Sequence, residues 1–170
     1  MPTTLTALNQ ANDEAFVAAV GHLFEHSPWV ARETLGKRPF RDAAHLHAEL
    51  CATMRAASRE RQMALIAAHP NLAGRLAQQN QLTADSTREQ AGAGLGRLTA
   101  DELATFQTMN TAYRTRFGFP FIICARLNAK EAILEAMRSR LSHPTGQEFE
   151  TALGEIEKIA WLRLSDAVMV

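Results

Sequence analysis

Cysteine is scarce in this chain, and neither sign of charge is in excess. The 170 residues include only two cysteines, Cys51 and Cys124, which form neither a disulfide framework nor a metal-binding spacing. The 18 basic and 18 acidic residues give a formal net charge of zero, which argues against a nucleic-acid or anionic-membrane surface. We therefore expect a cytosolic protein with reduced thiols and with neither a nucleic acid nor a membrane as its partner.

Long hydrophobic runs are missing as well. No apolar stretch approaches the roughly 20 residues that cross a bilayer, and the first residues, Met1–Leu5, lack a basic segment followed by an apolar one. Hydrophobic residues make up 46% of the chain and charged residues 21%, proportions typical of globular proteins. A chain of this length can bury one sizeable core, so we predict a single domain over residues 1–170.

Helix signals recur along the chain, whereas strand signals are scarce. Capping residues precede apolar-periodic stretches at Asn12, Asp42, Ser58 and Asn128. Thr99–Glu102 and Thr145–Glu148 both match the reciprocal capping box, in which the first and fourth side chains satisfy backbone donors at a helix start. The one strand-like run, residues 119–124, is too isolated to build a sheet. The predicted fold class is all-α, with about eight helices.

One histidine lies outside this helical pattern. Residues 60–67 are typical of a helix, and Pro70 disfavours helical geometry at the preceding residue, His69. The imidazole is therefore expected at a helix end that opens into a loop, where a side chain can face a cavity. Because histidine has the unperturbed pKa nearest neutrality, His69 is a candidate proton donor or acceptor.

Two further segments combine polar groups with backbone irregularity. In Ser86–Gln90, the side chains of Ser86 and Glu89 fit a capping box, and spacing alone favours that structural role. A helix N-terminus also presents free N–H groups to an anion, so an anion-binding role stays open. Residues 117–125 could leave their backbone free to pair with a ligand, although the pattern alone favours a buried strand or a helix start.

Arg163 lies on an otherwise apolar helical stretch. A semi-buried arginine requires an anionic partner, either a carboxylate of the protein or one of a ligand, and the sequence leaves both open. His22 and His26 stand four residues apart on a predicted helix, a spacing that can bind a metal ion, but no nearby acidic or thiol motif completes a ligand set. We therefore predict no metal.

Together and in this order, the segments resemble the 2-oxo-4-hydroxy-4-carboxy-5-ureidoimidazoline (OHCU) decarboxylases, cofactor-free enzymes that complete the conversion of urate to (S)-allantoin. The resemblance spans nearly the whole chain and rests on Leu8-Asn9, Phe24–Ala31, Arg38–Phe40, His69-Pro70, Ser86 with Glu89-Gln90, Phe117–Phe121, and Lys158-Ile159 with Arg163-Leu164. The sequence departs from the family pattern at Asn71, where aspartate is more common, and at Leu127, where glycine is common. The resemblance implies an all-α homodimer that acts on a small anionic ureidoimidazoline without a cofactor.

The resemblance also implies roles for individual residues. His69 would be the proton donor, and Glu89 would be its polar companion. The substrate would be held by Pro70, Ser86, Thr87, Arg88, Gln90, Arg163 and the backbone of Phe121, Ile122, Ile123, Cys124 and Ala125.

The implied reaction can dispense with a cofactor for a chemical reason. The substrate carboxylate is attached to a carbon next to a C=N bond. That imine can receive the electrons released as CO2 departs, a task that other decarboxylases give to pyridoxal phosphate or thiamine. The protein then has to supply orientation, a partly dry pocket and a proton delivered to one face.

Two other functions are compatible with parts of the sequence. A non-enzymatic helical protein could bind a purine-derived ligand or a partner, with His69 serving only as a turn residue. A metal-dependent hydrolase could use His22, His26 and His69. Neither alternative explains the three irregular segments together.

Overall fold

The computed structural model describes residues 2–74 and 81–169, and most of these residues are helical. The helices in this part of the chain are α1 (Leu5–Gln10), α2 (Asp13–Val20), α3 (Trp29–Thr34), α4 (Ala43–Ala56), α5 (Arg59–Ala67), α6 (Ala84–Gly92), α7 (Ala100–Phe117), α8 (Lys130–Arg140) and α9 (Thr145–Ala167). Short 3-10 turns occur at Gly21–Leu23, Leu35–Lys37 and Ala125–Leu127. The predicted all-α class is confirmed.

Two short strands are the extended elements of the described chain. Strand β1 (Thr3–Thr4) pairs in parallel with β2 (Val168–Met169), with Thr3 opposite Val168. Two residues per strand are too few to form a sheet with its own core. The pairing instead connects the first and last described elements of the chain. The strand-like run at residues 119–124 forms no strand and lies outside this sheet.

Most of the predicted helix starts are confirmed. The side chains of Asn12, Asp42 and Ser58 each accept a hydrogen bond from the backbone N–H three residues further on. Thr99 and Glu102 complete a reciprocal capping box at the start of α7. That helix ends at Gly118, whose φ of 78° is the left-handed conformation that glycine adopts at low cost.

Two predicted helix starts are wrong. Helix α8 follows Ala129, and the side chain of Asn128 donates backwards to the carbonyl oxygen of Cys124 at 3.0 Å. Helix α9 already includes Thr145, and the carboxylate of Glu148 accepts hydrogen bonds from other side chains rather than closing a capping box. In both cases the polar side chain that local spacing assigned to a cap forms its hydrogen bonds with groups outside the helix start.

The contacts divide the chain into two compact units. The first comprises Met1–Ala68 with Glu157–Val170, and the second comprises His69–Ile156. The single domain that the sequence analysis predicts stays a prediction. No helix within the described residues is long and apolar enough to cross a membrane.

The first unit has an apolar core in which Phe16, Phe24, Leu46 and Leu50 are almost completely buried. At its edge, the side-chain amide of Asn9 pairs with the backbone of Phe40, donating to its carbonyl oxygen at 2.9 Å and accepting from its N–H at 2.8 Å. This double hydrogen bond attaches the loop before α4 to α1, and it lets the Phe40 ring stack on Phe16. The Leu8-Asn9 and Arg38–Phe40 segments, which are far apart in the sequence, are therefore in direct contact.

The second unit has an aromatic core. Phe106, Tyr113, Phe119, Phe121 and Phe149 are each at most 1% exposed. Tyr113, the chain's one tyrosine, lies with its ring centroid 5.2 Å from that of Phe121 and 4.5 Å from that of Phe117. The core therefore packs directly against the irregular segment that follows α7.

We expect Asn9→Ala to lower the free energy of unfolding by about 2 kcal/mol, because it removes two hydrogen bonds worth about 1 kcal/mol each. Gln10→Ala, at the neighbouring exposed position, is the matched control and should change the free energy of unfolding by less than about 0.5 kcal/mol. Urea unfolding of the two variants and the wild type provides the measurement. An equal effect of the two substitutions would show that the loop before α4 does not depend on Asn9.

Candidate active site

His69 lies at a helix end, as the sequence predicts. Helix α5 ends at Ala67, Ala68 caps it, and His69 follows directly before Pro70. The imidazole is 7% exposed, and its Nε2 atom is buried. The turn sets the orientation of this buried imidazole. The side chains that bind the turn therefore help to determine where the ring lies.

Two side chains from neighbouring helices hold the turn that follows His69. The amide of Asn110, on α7, donates to the carbonyl oxygen of Leu72 at 2.9 Å. The amide oxygen of Gln90, on α6, accepts from the N–H of Ala73 at 2.9 Å. Both contacts are buried, and a buried backbone group left without a partner is costly. The turn is therefore fixed to α6 and α7.

Helix α6 carries the second predicted segment, but it begins earlier than expected. Its cap is Thr83, whose hydroxyl accepts from the N–H of Ser86 at 3.2 Å. Ser86 therefore lies in the first turn of the helix and not at the cap, and the capping-box interpretation of Ser86 and Glu89 is wrong. Ser86 and Gln90, four residues apart, are both buried on one face of α6.

The other members of this segment lie differently. Thr87 and Arg88 are exposed, and Arg88 forms an ion pair with Asp85. Glu89 is half-buried, and its charge contributes to a raised pKa of the Cys124 thiol after burial and Glu155, the larger causes. Helix α6, which carries Glu89, also packs against the 3-10 turn Ala125–Leu127 at the end of the third segment.

The third segment, Phe121–Ala125, is buried throughout. Three of its backbone groups are bound by side chains, among them the carbonyl oxygen of Cys124, which accepts from the Asn128 amide at 3.0 Å. The carbonyl oxygen of Ile122 accepts from Nη1 of Arg140 at 2.8 Å, and the N–H of Cys124 donates to the carboxylate of Glu155 at 2.8 Å. Within the described residues, the backbone groups of Phe121 and Ile123 make no hydrogen bond. Side chains of helices α8 and α9 thus bind backbone groups of Ile122 and Cys124, and the backbone groups of Phe121 and Ile123 are left for another partner.

A buried ionic cluster stands behind this segment. Glu148 is 0% exposed, and its carboxylate accepts from Nε and Nη2 of Arg140, from Nδ1 of His143 at 2.9 Å and from the hydroxyl of Tyr113. The Arg140 guanidinium also lies over the Phe121 ring, 4.3 Å from its centroid. Sequence reasoning missed this cluster, because Glu148 matched a helix cap. Arg140 and His143 precede it by eight and five residues, across a helix boundary where no periodicity applies, and Tyr113 lies 35 residues away.

Hydrogen bonding decides the protonation of this cluster. Burial favours the neutral acid, but the hydrogen bonds from Arg140 and Tyr113 outweigh burial, and the pKa of Glu148 lies below its ordinary value of 4.5. Burial, with the hydrogen bond to Glu148 as a second cause, raises the pKa of Tyr113. At neutral pH the cluster therefore consists of an ionised Glu148, a charged Arg140 and a protonated Tyr113.

Arg163 belongs to the first unit and has a carboxylate partner there. Its Nη1 atom donates to Glu25 at 2.8 Å and to the carbonyl oxygen of His22 at 3.3 Å. Arg163 is 3% exposed and Glu25 is 2% exposed. Of the two kinds of partner that the sequence left open, the structure provides the protein carboxylate, and the role of Arg163 toward a substrate stays a prediction.

Metal binding was the other possibility for the histidines. His26 lies outside any helix with a φ of 48°, so the helical spacing assumed for His22 and His26 is wrong. Over residues 2–74 and 81–169, no group of three or more histidine, cysteine, aspartate or glutamate side chains is arranged to hold a metal ion.

A cavity of about 620 Å³ opens elsewhere in the second unit. It lies between the end of α6 and the start of α8, and its lining includes Arg97, Arg126 and Lys130. None of the predicted catalytic or substrate-binding residues lines it. The candidate site is therefore defined by the three segments and not by this cavity.

Comparisons with known proteins agree with the resemblance seen in the sequence. The sequence model of the OHCU decarboxylases matches residues 9–165. The chain belongs to the OHCU decarboxylase family. The family assignment made from the sequence segments is thereby confirmed, and the match covers all three segments of the candidate site.

Individual members of the family are similar over most of their length. A 2-oxo-4-hydroxy-4-carboxy-5-ureidoimidazoline decarboxylase from Halalkalicoccus jeotgali is 43% identical over 163 residues, which are 96% of this chain and 90% of that protein. One from Haloferax volcanii is 41% identical over 163 residues, 96% of this chain and 95% of that protein. The crystal structure of an (S)-allantoin synthase aligns with a TM-score of 0.78 at 30% identity and covers 99% of this chain. The chain spans 54% of the length of that structure.

The pH dependence of stability tests the ionised state of Glu148. Because the folded-state pKa lies below the ordinary value of 4.5, ionised Glu148 stabilises the fold above that pH, and the contribution is lost as pH falls through the folded-state pKa. We expect Glu148→Gln to cost roughly 3–5 kcal/mol at neutral pH, since it breaks a buried ion pair. The difference from wild type should shrink as the pH is lowered below 4.5.

Glu150→Gln, at an exposed position of the same helix, is the matched control. Its difference from wild type should stay small throughout the titration. Urea unfolding between neutral and acid pH measures both variants. A Glu148→Gln difference that did not change with pH would contradict an ionised Glu148.

Proposed function

We propose that the protein decarboxylates 2-oxo-4-hydroxy-4-carboxy-5-ureidoimidazoline to (S)-allantoin and CO2, the last step of urate degradation, without a cofactor. The observation that carries the proposal, beside membership of the family, is the contact between Gln90 and Ala73. It joins the helix that bears Ser86 and Glu89 to the turn that bears His69. Two of the three segments are thereby held together, and the third ends in a 3-10 turn that contacts the same helix.

The substrate supplies its own electron sink. The bond between the ring carbon and the carboxylate breaks, CO2 leaves, and the electron pair is drawn toward the adjacent C=N bond. A ring carbon then takes up a proton on one face, which fixes the (S) centre. The protein's contribution is to hold the substrate in one orientation, to keep water away from the leaving carboxylate and to place a proton donor.

His69 is the proposed proton donor. An imidazole is the side chain that most readily both holds and releases a proton near neutral pH. The turn after His69 is tied to α6 and α7, so the ring can be held on one face of the substrate. Glu89, half-buried on α6, would keep the imidazole charged or oriented.

The third segment is proposed to hold the substrate through its backbone. The N–H and C=O groups of Phe121 and Ile123 can pair with a ureido group, which carries both donors and acceptors. Pro70, Ser86 and Gln90 complete the proposed binding set. The predicted contributions of the exposed Thr87 and Arg88, and of Arg163 in the first unit, stay predictions.

The proposed setting is a cytosolic homodimer. Both cysteines are free thiols in the structure, which suits a reducing compartment. Burial is the main cause that raises the pKa of Cys51 to about 12, so that thiol stays protonated and unreactive. Sedimentation equilibrium would show whether the chain forms a dimer in solution.

The decisive experiment uses His69→Ala. The unstable substrate is generated from urate with the two upstream enzymes, and the circular dichroism of (S)-allantoin is followed after this protein is added. Because proton transfer by a positioned group is worth about 10²–10⁴ in rate, His69→Ala should lose at least about a hundredfold in turnover and remain folded.

His22→Gln, an exposed histidine of the first unit, is the control and should keep full activity. Undiminished turnover by His69→Ala would remove His69 from the mechanism. If wild-type protein formed the (S) signal no faster than the uncatalysed decay, the decarboxylase proposal would fail, and ligand binding without turnover would take its place.

Glu89→Gln tests the role of the neighbouring carboxylate. If Glu89 keeps His69 charged, replacing the carboxylate by an amide favours the uncharged imidazole. The alkaline limb of the pH–rate profile, where activity falls, should then shift to lower pH. A pH–rate profile of the variant against wild type measures this limb. A lower kcat with no shift of either limb of the pH–rate profile would instead assign Glu89 an orienting role only.

A further inference from the structure

The ion pair between Arg140 and Glu148 is not explained by stability alone. Both side chains are buried, at 8% and 0% exposure, among aromatic rings. Burying two charges costs several kcal/mol, and replacing a buried pair by apolar residues is often neutral or stabilising. The question is therefore which contacts the ion pair makes that an apolar pair could not make.

Arg140 makes three different contacts at once. Its Nε and Nη2 atoms bond Glu148, its Nη1 donates to the carbonyl oxygen of Ile122 at 2.8 Å, and its flat face covers the Phe121 ring. An apolar replacement would leave the Ile122 carbonyl buried without this donor. Lysine would keep the charge but would lose the planar fork that reaches two partners in fixed directions.

Glu148 in turn fixes the orientation of the guanidinium. Besides Arg140, its two carboxylate oxygens accept from Tyr113 on α7 and from His143 before α9. Four donors on one carboxylate leave the arginine a single bidentate position. In that position its remaining Nη1 group is directed at Ile122.

We propose that Arg140 and Glu148 are positioning residues, which hold the Phe121–Ala125 backbone at the place where it binds substrate. This inference rests on the proposed function, since it takes the free groups of Phe121 and Ile123 as the substrate's partners. The Ile122 carbonyl, bound by Arg140, and the Cys124 N–H, bound by Glu155, fix the segment from one side. The groups of Phe121 and Ile123 are then kept in place for the ligand.

Arg140→Lys is the test variant, because it keeps the charge beside Glu148. Arg138→Lys is its matched control on the same helix, where Arg138 is 55% exposed and pairs with Glu135. We expect Arg140→Lys to raise KM about tenfold, as the loss of one or two substrate hydrogen bonds would, with kcat within about twofold of wild type. Arg138→Lys should leave both constants unchanged.

A second measurement does not depend on substrate. Amide hydrogen exchange of a peptide covering residues 119–127 should be faster in Arg140→Lys than in Arg138→Lys, while peptides from α4 exchange equally in both. If Arg140→Lys does not fold, Tyr113→Phe serves instead. That variant removes one hydrogen bond to Glu148 and keeps the ring, so the same changes should appear at smaller size.

The outcomes separate the alternatives. Faster exchange with a raised KM and a nearly unchanged kcat would establish the positioning role. Unchanged exchange would overturn it, and so would faster exchange with an unchanged KM, which would indicate a structural role only. If wild-type protein had no turnover, the proposed function would fail by itself, and the exchange measurement would still decide whether Arg140 holds the segment.

Discussion

The second unit depends on one constraint, which is that buried backbone groups outside helices must find hydrogen-bonding partners. A helix satisfies its own N–H and C=O groups, but the turn after His69 and the segment Phe121–Ala125 do not. Their partners include side chains on four different helices. These contacts are Gln90 to Ala73, Asn110 to Leu72, Arg140 to Ile122 and Glu155 to Cys124.

This constraint links the fold to the candidate site. In Phe121–Ala125, side chains bind backbone groups of Ile122 and Cys124. The backbone groups of Phe121 and Ile123 are not used in these contacts. Those remaining groups are the ones that a planar, polar ligand can pair with. The arrangement pre-orients polar groups without a cofactor, and such pre-organisation lowers the entropic cost of binding.

Local features of the sequence predicted most of the helices and several of their starts. Capping residues act within four residues of chain, so Asn12 and Thr99 could be identified from spacing. The same spacing failed at Thr145–Glu148, where Glu148 is taken by Arg140, Tyr113 and His143. It also failed at Ser86, because Thr83 is a competing cap three residues earlier. A short pattern cannot show which of two partners a polar side chain will meet.

The site itself could be predicted only in part, for the same physical reason. His69 was identifiable because Pro70 breaks a helix locally, and the order of the three segments gave the family. The supports of those segments act across long sequence separations, 38 residues between Asn110 and Leu72 and 31 between Glu155 and Cys124. No periodicity or spacing encodes such a pair in a single sequence. A charged residue on a helix is usually solvated, and the burial of Arg140 and Glu148 departs from that expectation. Buried charges in this unit therefore mark the place where the backbone leaves the helical pattern and needs a partner from elsewhere.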